Sequence, residues 1–217
     1  MKEIHSKDYH DFVFKNGKLV GEFEQMYQKS RDIPWHQDKA VLETEWKIAS
    51  MILSGKAPYR NILDVGCGLG YLTNTFTKYS QKVIGVDVSE TAIKKAKIKF
   101  PKIEFSQLDI SIPLHTQSFL KDTFHCVFIR AIFWYVFPAL ETVVKNLNEL
   151  VDTNGYLVIH QNFPPLDSNF IGKNVISSPT NLAHTFSPYF EILQYNWFEN
   201  RERNQNDNWV TILLIKK

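Results

Sequence analysis

The residues best placed to do chemistry lie in one stretch, Ile62-Leu63-Asp64-Val65-Gly66-Cys67-Gly68-Leu69-Gly70-Tyr71-Leu72. An apolar run passes into three glycines at alternate positions and then into a helical pattern. Glycine tolerates a positive φ and lets a ligand approach the backbone closely. The first turn of the new helix offers unpaired N–H groups and a positive dipole end, which favour an anionic or polar ligand group. Spacing narrows the ligand further. A dinucleotide fingerprint reads G-x-G-x-x-G, but its third glycine position is occupied here by Tyr71, so a pyrophosphate is disfavoured. Asp87 closes the run Lys82–Ser89 about twenty residues after the loop, where a carboxylate can accept from ribose hydroxyls. Asp109 closes a third run after Phe105-Ser106-Gln107-Leu108. Alone, Asp87 could cap the next helix and Asp109 could start a turn. Together they converge with the loop on one crevice, because ligands of wound sheets bind outside the carboxyl ends of the strands.

The elements that must position these groups alternate between short β-branched runs and helical patterns, as in a wound α/β sheet. Strands are expected at Asn61–Val65, Lys82–Val88, Ile103–Leu108, Phe124–Ile132 and Tyr156–Gln161. Tyr71, Phe76 and Tyr79 define one helix face. Ser89 is placed to N-cap the next helix, with Ile93, Ala96 and Phe100 inward and Lys94, Lys95, Lys97 and Lys99 on a solvated face. Pro138 suits a helix start, and Leu140, Val143, Leu147 and Leu150 continue it to a turn at Asp152–Gly155. Phe190–Phe198 and Trp209–Ile215 have only the polar linker Glu199–Asn208 between them, so they should pair as an antiparallel hairpin. Upstream, Val41, Leu42, Trp46, Ala49, Ile52 and Leu53 mark an amphipathic helix ending near Gly55. The first forty residues have little period and read as a cap or lid. The division expected is therefore a cap with its first helix over residues 1–55 and a core over 56–217. Phe163–Thr180 has no clear period and leaves the fifth strand on the ligand side, which suggests a substrate lid.

Bulk properties set limits on these readings. The chain has 217 residues, 44% of them hydrophobic and 22% charged, enough for one domain with a full core. A formal net charge of +2, without a basic run, gives no support for nucleic-acid binding. Two cysteines, Cys67 and Cys126, show no ligand spacing, so neither a metal site nor a disulfide framework is expected. Met1-Lys2-Glu3-Ile4-His5 lacks the apolar core of a signal peptide, and no stretch is long enough to span a bilayer. A cytoplasmic protein without membrane partners, monomeric or homodimeric, is the expectation.

Asp64-Val65-Gly66-Cys67-Gly68-Leu69-Gly70, Val86-Asp87-Val88-Ser89 and Leu108-Asp109-Ile110 together resemble the class I S-adenosylmethionine-dependent methyltransferases. The likeness covers Asn61 to Gln161 and extends to the terminal hairpin, which is similar to that family's reversed last strand. It implies an α/β fold with a seven-stranded, mostly parallel Rossmann-like sheet of order 3-2-1-4-5-7-6 and an N-terminal helical cap. The implied cofactor is S-adenosyl-L-methionine. Gly66, Cys67, Gly68 and Gly70 would lie under its methionine part, and Asp64 would serve its amino group. Asp87 would hold the ribose hydroxyls, and Asp109 would meet the adenine amino group. Val88 and Leu108 or Ile110 would flank the base, and Arg130, at the end of the fourth strand, joins the cofactor set.

The implied reaction is methyl transfer to a small-molecule acceptor such as a sugar, amine or natural-product intermediate. Arg130-Ala131-Ile132-Phe133 stands where families that methylate amide or ring nitrogens often carry a Pro-Pro-Tyr-type motif, which weighs against DNA and protein-glutamine substrates. His36 and His160 are the candidate bases, since histidine titrates near neutrality. A strand-end His160 also suits a structural hydrogen bond. Trp35, Trp134, Tyr135 and Asn162 are the candidate acceptor contacts, although Trp35 could equally plug the cap onto the core. Two other functions compete. A non-catalytic S-adenosylmethionine-binding or interaction protein would keep the fold without turnover. An NAD-type dehydrogenase is opposed by Tyr71 and by the lack of an evident Tyr-x-x-x-Lys pair.

Overall fold

A computed structural model describes residues 9–118, 122–200 and 207–217. The N-terminal residues 1–5 and residues 201–206 of the polar linker, both read above, lie outside the described residues. Seven strands form one sheet: β1 (Ile62–Val65), β2 (Val83–Asp87), β3 (Glu104–Gln107), β4 (Phe124–Arg130), β5 (Val151–Phe163), β6 (Phe190–Asn200) and β7 (Asp207–Lys216). Their spatial order is β3-β2-β1-β4-β5-β7-β6, the order that the family resemblance implied. β1 through β5 are parallel, while β7 runs antiparallel to both β5 and β6.

Burial on both faces explains the near-continuous apolar strands. Leu63, Val65, Val127 and Ile129 face one layer, and Ile62, Cys126 and Phe128 face the other. On the first face lies α6 (Leu140–Leu150), whose Val143, Leu147 and Leu150 are all buried as their spacing predicted. On the second lies α2 (Thr44–Ser54), with Trp46, Ala49 and Leu53 against Phe76, Phe128 and Leu213. The rings of Trp46, Phe76 and Phe128 meet at 5.0–5.9 Å between centroids. α3 (Tyr71–Thr75) follows β1, and α4 (Glu90–Lys99) follows β2 with Ser89 Oγ accepting from the Ala92 amide. Both cysteines are buried and free, and no described helix is long and apolar enough to cross a membrane.

The structure differs from the sequence reading in several places, one being that the helix expected from Val41 begins only at Thr44, with Leu42 exposed in a preceding turn. β5 begins at Val151, and Asp152–Gly155 forms a bulge between the Phe124–Val151 and Cys126–Tyr156 pairs, with Asn154 at φ 60°. The cap is more structured than its weak periodicity suggested: a short hairpin (Phe14–Lys15 with Lys18–Leu19) precedes α1 (Phe23–Lys29). Lys95 is not merely solvated, since its ammonium donates to the Tyr27 carbonyl of α1. Finally, the segment after β5, which lacked a clear period, is packed and partly helical. Phe170 packs on Trp134 at 5.2 Å, Ile176 is fully buried, and Pro179–Thr185 form α7, capped by Ser178.

Candidate active site

The carboxyl ends of β1 to β5 open into a cavity of about 720 Å³, a volume typical of small-molecule and cofactor sites. Its floor is the glycine loop. Gly68 (φ +53°) does not itself line the cavity and instead leaves room for the cap, since a Cβ there would stand 2.4 Å from Gln37 Oε1. Gly70 does not line the cavity. It begins α3 at φ +79°, and a Cβ would press to 2.7 Å from Phe105 Cζ, so its work is to let α3 pack against β3. Gly66 and Cys67 line the cavity, and both their amides donate to the Val86 carbonyl, at 2.8 and 2.9 Å.

Three acids reach this floor from successive strands. Asp64 on β1 is 3% exposed and accepts from Thr73 Oγ1 at 2.6 Å. Burial raises its pKa to about 7, aided by the nearby Asp87 charge and opposed by the Thr73 hydrogen bond and Arg130. Asp87 ends β2 and accepts from the Gly68 amide at 2.9 Å and the Ser89 amide at 3.0 Å. Burial lifts it to about 6 against those donors. Asp109 follows β3 and accepts from the Ser111 amide and hydroxyl at 2.8 and 2.6 Å. Val88, Leu108 and Ile110 line the wall between Asp87 and Asp109. Gln117 and Asn146 brace this wall: Gln117 Oε1 accepts from the Asp109 amide at 2.8 Å, and Asn146 donates to the Ile110 and Ile112 carbonyls, both at 2.8 Å.

The opposite side is aromatic and belongs largely to the cap. Trp35 and Tyr135 both line the cavity, with ring centroids 5.8 Å apart, and Phe23 packs 5.3 Å from Tyr135. Burial pushes the Tyr135 phenol up to about 12. Trp35 and His36 sit at φ 52° and 46°, and Ala131 at φ 54°. Such conformations cost non-glycine residues roughly 1–3 kcal/mol each, and all three line the cavity. Asn162 and Arg130 line it as well. The Arg130 guanidinium lies 4.6 Å over the Trp209 ring.

His160 and Trp134 are not among the cavity's residues, which corrects the roles expected of them. The His160 ring is fully buried beneath Trp209, stacked at 4.5 Å, with Nδ1 bonded to Thr211 Oγ1 at 2.9 Å. Burial first, and Arg130 second, hold its pKa well below the ordinary value, so it stays neutral. It supports the Trp209–Arg130 stack from below. Trp134 points into the core, donating its indole N–H to the Asn162 carbonyl at 2.9 Å against Phe163 and Phe170. The side chain of the first residue after Ile132–Phe133 to reach the cavity is therefore Tyr135. A one-residue difference on a short helix, α5 (Phe133–Val136), separates the two, and no spacing signal marks which ring faces the ligand.

Sequence reasoning also missed Tyr27, Gln37 and Glu24, all from the cap. Gln37 Oε1 accepts from the Leu69 amide at 2.8 Å, and its Nε2 donates to Tyr27 Oη at 2.9 Å. Glu24 accepts from the Ser89 and Thr91 hydroxyls at 2.6 and 2.5 Å, and these donors hold its carboxyl down at about 2. These contacts join segments far apart in the chain, which no local period reveals.

A wound sheet with acids at the ends of its first three strands, a glycine loop beneath and a cap above defines a nucleoside-type ligand site. Residues 62–155 match the family described as methyltransferase domain. The chain is 32% identical over 63 residues to a probable S-adenosylmethionine-dependent methyltransferase of Mycobacterium tuberculosis strain H37Rv, covering 29% of this chain and 23% of that protein. It spans less than a third of the length of each curated relative that it matches. Among solved structures, the N-methyltransferase NodS of Bradyrhizobium japonicum WM9, in complex with S-adenosyl-L-homocysteine, superposes with a TM-score of 0.69 at 14% identity, covering 89% of this chain and 97% of that one. The (4+2)-cyclase SpnF shares the fold with a TM-score of 0.61 at 11% identity, covering 78% and 80%.

Proposed function

We propose that this protein transfers a methyl group from S-adenosyl-L-methionine to a small-molecule acceptor. The observation that carries the reading is the convergence of Asp64, Asp87 and Asp109 with the glycine loop in one cavity. The donor set fits that cofactor. Asp64 and Asp87 are buried carboxyls with raised pKa values, and a cationic amino group and ribose hydroxyls are the partners that would favour their ionised forms. Val88, Leu108 and Ile110 offer apolar contact to a base next to Asp109.

Bound cofactor supplies an activated methyl on a sulfonium, ready for in-line displacement. The protein's own task is alignment and exclusion of water. Asp64 holds the amino end, with Arg130 beside it as the cation for a carboxylate. Trp35 and Tyr135 wall the acceptor side and keep water from it. Asn162 offers an amide to orient a polar acceptor group, and His36 accepts a proton where the acceptor must shed one. Residues 1–55 act as the cap and 56–217 as the core. A small acceptor is supported by the cavity's volume of about 720 Å³ and by the cap residues Trp35, His36 and Gln37 in its wall.

A second reading keeps the cofactor and drops the methyl transfer, because a fold does not fix its chemistry and SpnF, a cyclase, shares this one. Thermal unfolding with S-adenosylmethionine, its demethylated product and NAD tests the shared part. A ligand at about 100 times its dissociation constant adds roughly 2.7 kcal/mol, worth about 2–4 °C per kcal/mol at this size. A shift with NAD alone would overturn both readings. Release of demethylated cofactor on incubation with metabolite pools then separates the methyltransferase from the binder.

A further inference from the structure

The cap touches the core at the two backbone segments that hold Asp87. One is the glycine loop: the Gly68 amide donates to Asp87 Oδ2, and the neighbouring Leu69 amide donates to Gln37 Oε1 at 2.8 Å. The Gln37 amide also fills the space over Gly68, its oxygen and nitrogen lying 2.4 and 2.6 Å from where a Cβ would be. The second segment is the start of α4, where the Ser89 amide donates to Asp87 Oδ1. There Glu24 on α1 accepts from Ser89 Oγ, Thr91 Oγ1 and the Thr91 amide. Tyr27 joins the two contacts: its hydroxyl accepts from Gln37 Nε2, and its carbonyl accepts from Lys95 of α4. The bonds of Gln37 to Leu69, of Glu24 to Ser89 and Thr91, and of Lys95 to Tyr27 span the boundary between cap and core.

We propose that Gln37 and Glu24 are positioning residues that set the geometry of Asp87 by clamping the backbone on either side of it, so that cap docking and cofactor affinity are one coupled equilibrium. The proposal rests on the cofactor reading given above. A ligand held by Asp87 favours the docked cap, and by linkage the docked cap favours the ligand to the same extent. Gln37 reaches the loop through an amide oxygen, so an apolar side chain of equal length keeps the packing and loses the clamp.

The test uses the whole chain, with S-adenosyl-L-homocysteine as the probe. Gln37→Met removes both polar contacts at nearly constant volume, and Gln37→Glu restores the acceptor for the Leu69 amide. Binding is read by calorimetry, and loop order by residue-resolved hydrogen exchange without ligand. In Gln37→Met, affinity should fall about tenfold, in keeping with the loss of one buried hydrogen bond and an amide left unpaired. Exchange at Leu69 and Gly68 should rise by a similar factor, while the melting temperature should fall by only a few degrees, roughly 2–4 °C per kcal/mol lost. Gln37→Glu should recover the Leu69 protection, which a general loss of packing would not do. Glu24→Gln, which keeps the side chain but weakens its charge-assisted bonds, should raise exchange at Ser89 and Thr91 and weaken binding in the same direction. Unchanged exchange and unchanged affinity in Gln37→Met would overturn the clamp alone. Failure of the unmutated protein to bind the probe would overturn the cofactor reading and the clamp with it.

Discussion

Asp87 has both carboxylate oxygens engaged by backbone amides, Gly68 on one and Ser89 on the other. It therefore serves the loop's shape as well as any ligand. Hydrogen bonds to a charged group contribute roughly 1.5–3 kcal/mol, so Asp87→Ala should weaken S-adenosylhomocysteine binding by about ten- to a hundredfold in calorimetry. A second expectation follows from protonation. Asp64 and Asp87 titrate near 7 and 6 in the ligand-free fold, raised from the usual 3.8 chiefly by burial. The folded state thus holds protons that the unfolded state has lost, and their contribution to stability declines as pH rises through that range. Ligand binding has the opposite sign, because an ammonium and hydroxyl donors favour the ionised acids. The melting shift produced by the ligand should grow between about pH 5.5 and pH 7.5, and Asp64→Asn should flatten it. The two histidines should also part company. His36 lines the cavity and His160 is sealed beneath Trp209, so His36→Ala should lower turnover with cofactor affinity intact, whereas His160→Phe should chiefly alter stability.

Among the elements, the cap supplies wall to the cavity as its reading as a cap or lid suggested, whereas the segment after β5 does not. Residues 164–178 contribute nothing to the cavity wall and are fixed by Phe170 on Trp134, by the buried Ile176 and by Lys173 donating to the Leu166 and Ser168 carbonyls. The cap, by contrast, supplies Phe23, Trp35 and Gln37 to the wall. Protection from limited proteolysis on adding S-adenosylhomocysteine should accordingly appear within residues 21–42 and not within 164–178. Equal protection of both segments would restore a lid role to the latter.

At the scale of the whole molecule, one sheet buried on both faces makes the site rigid. Phe128 on the central strand β4 touches both Trp46 of α2 and Phe76 after α3, and so ties the layer behind the sheet to the strands that carry Asp64 and Arg130. Removing such a ring costs about 3–5 kcal/mol. Phe128→Ala should therefore lower the melting temperature by roughly 6–20 °C at this chain length. Its residual ligand binding at low temperature would measure how far the site depends on the core.

How much of this was legible in the chain follows from the range of the forces involved. The strands, the glycine loop and the acids at the strand ends all depend on local signals: period, backbone freedom at glycine and short spacings that survive in one dimension; the order of the strands came only from the family resemblance. Hence the spacing alone brings Asp64, Asp87 and Asp109 together at one crevice. The choice between neighbouring rings was different, because Trp134 and Tyr135 are adjacent and equally apolar. Only the packing of α5 against Phe163 and Phe170 turned one inward and left the other to the cavity. The burial of His160 needed β7, which brings Trp209 and Thr211 over it from fifty residues away. The cap's hold on the loop required Gln37 and Leu69 to meet through a single hydrogen bond between an irregular segment and a turn, a contact with no period to betray it. Sequence determined where a ligand of this kind can be held; tertiary packing decided which side chains face it, because facing is settled by distant neighbours competing for the same space.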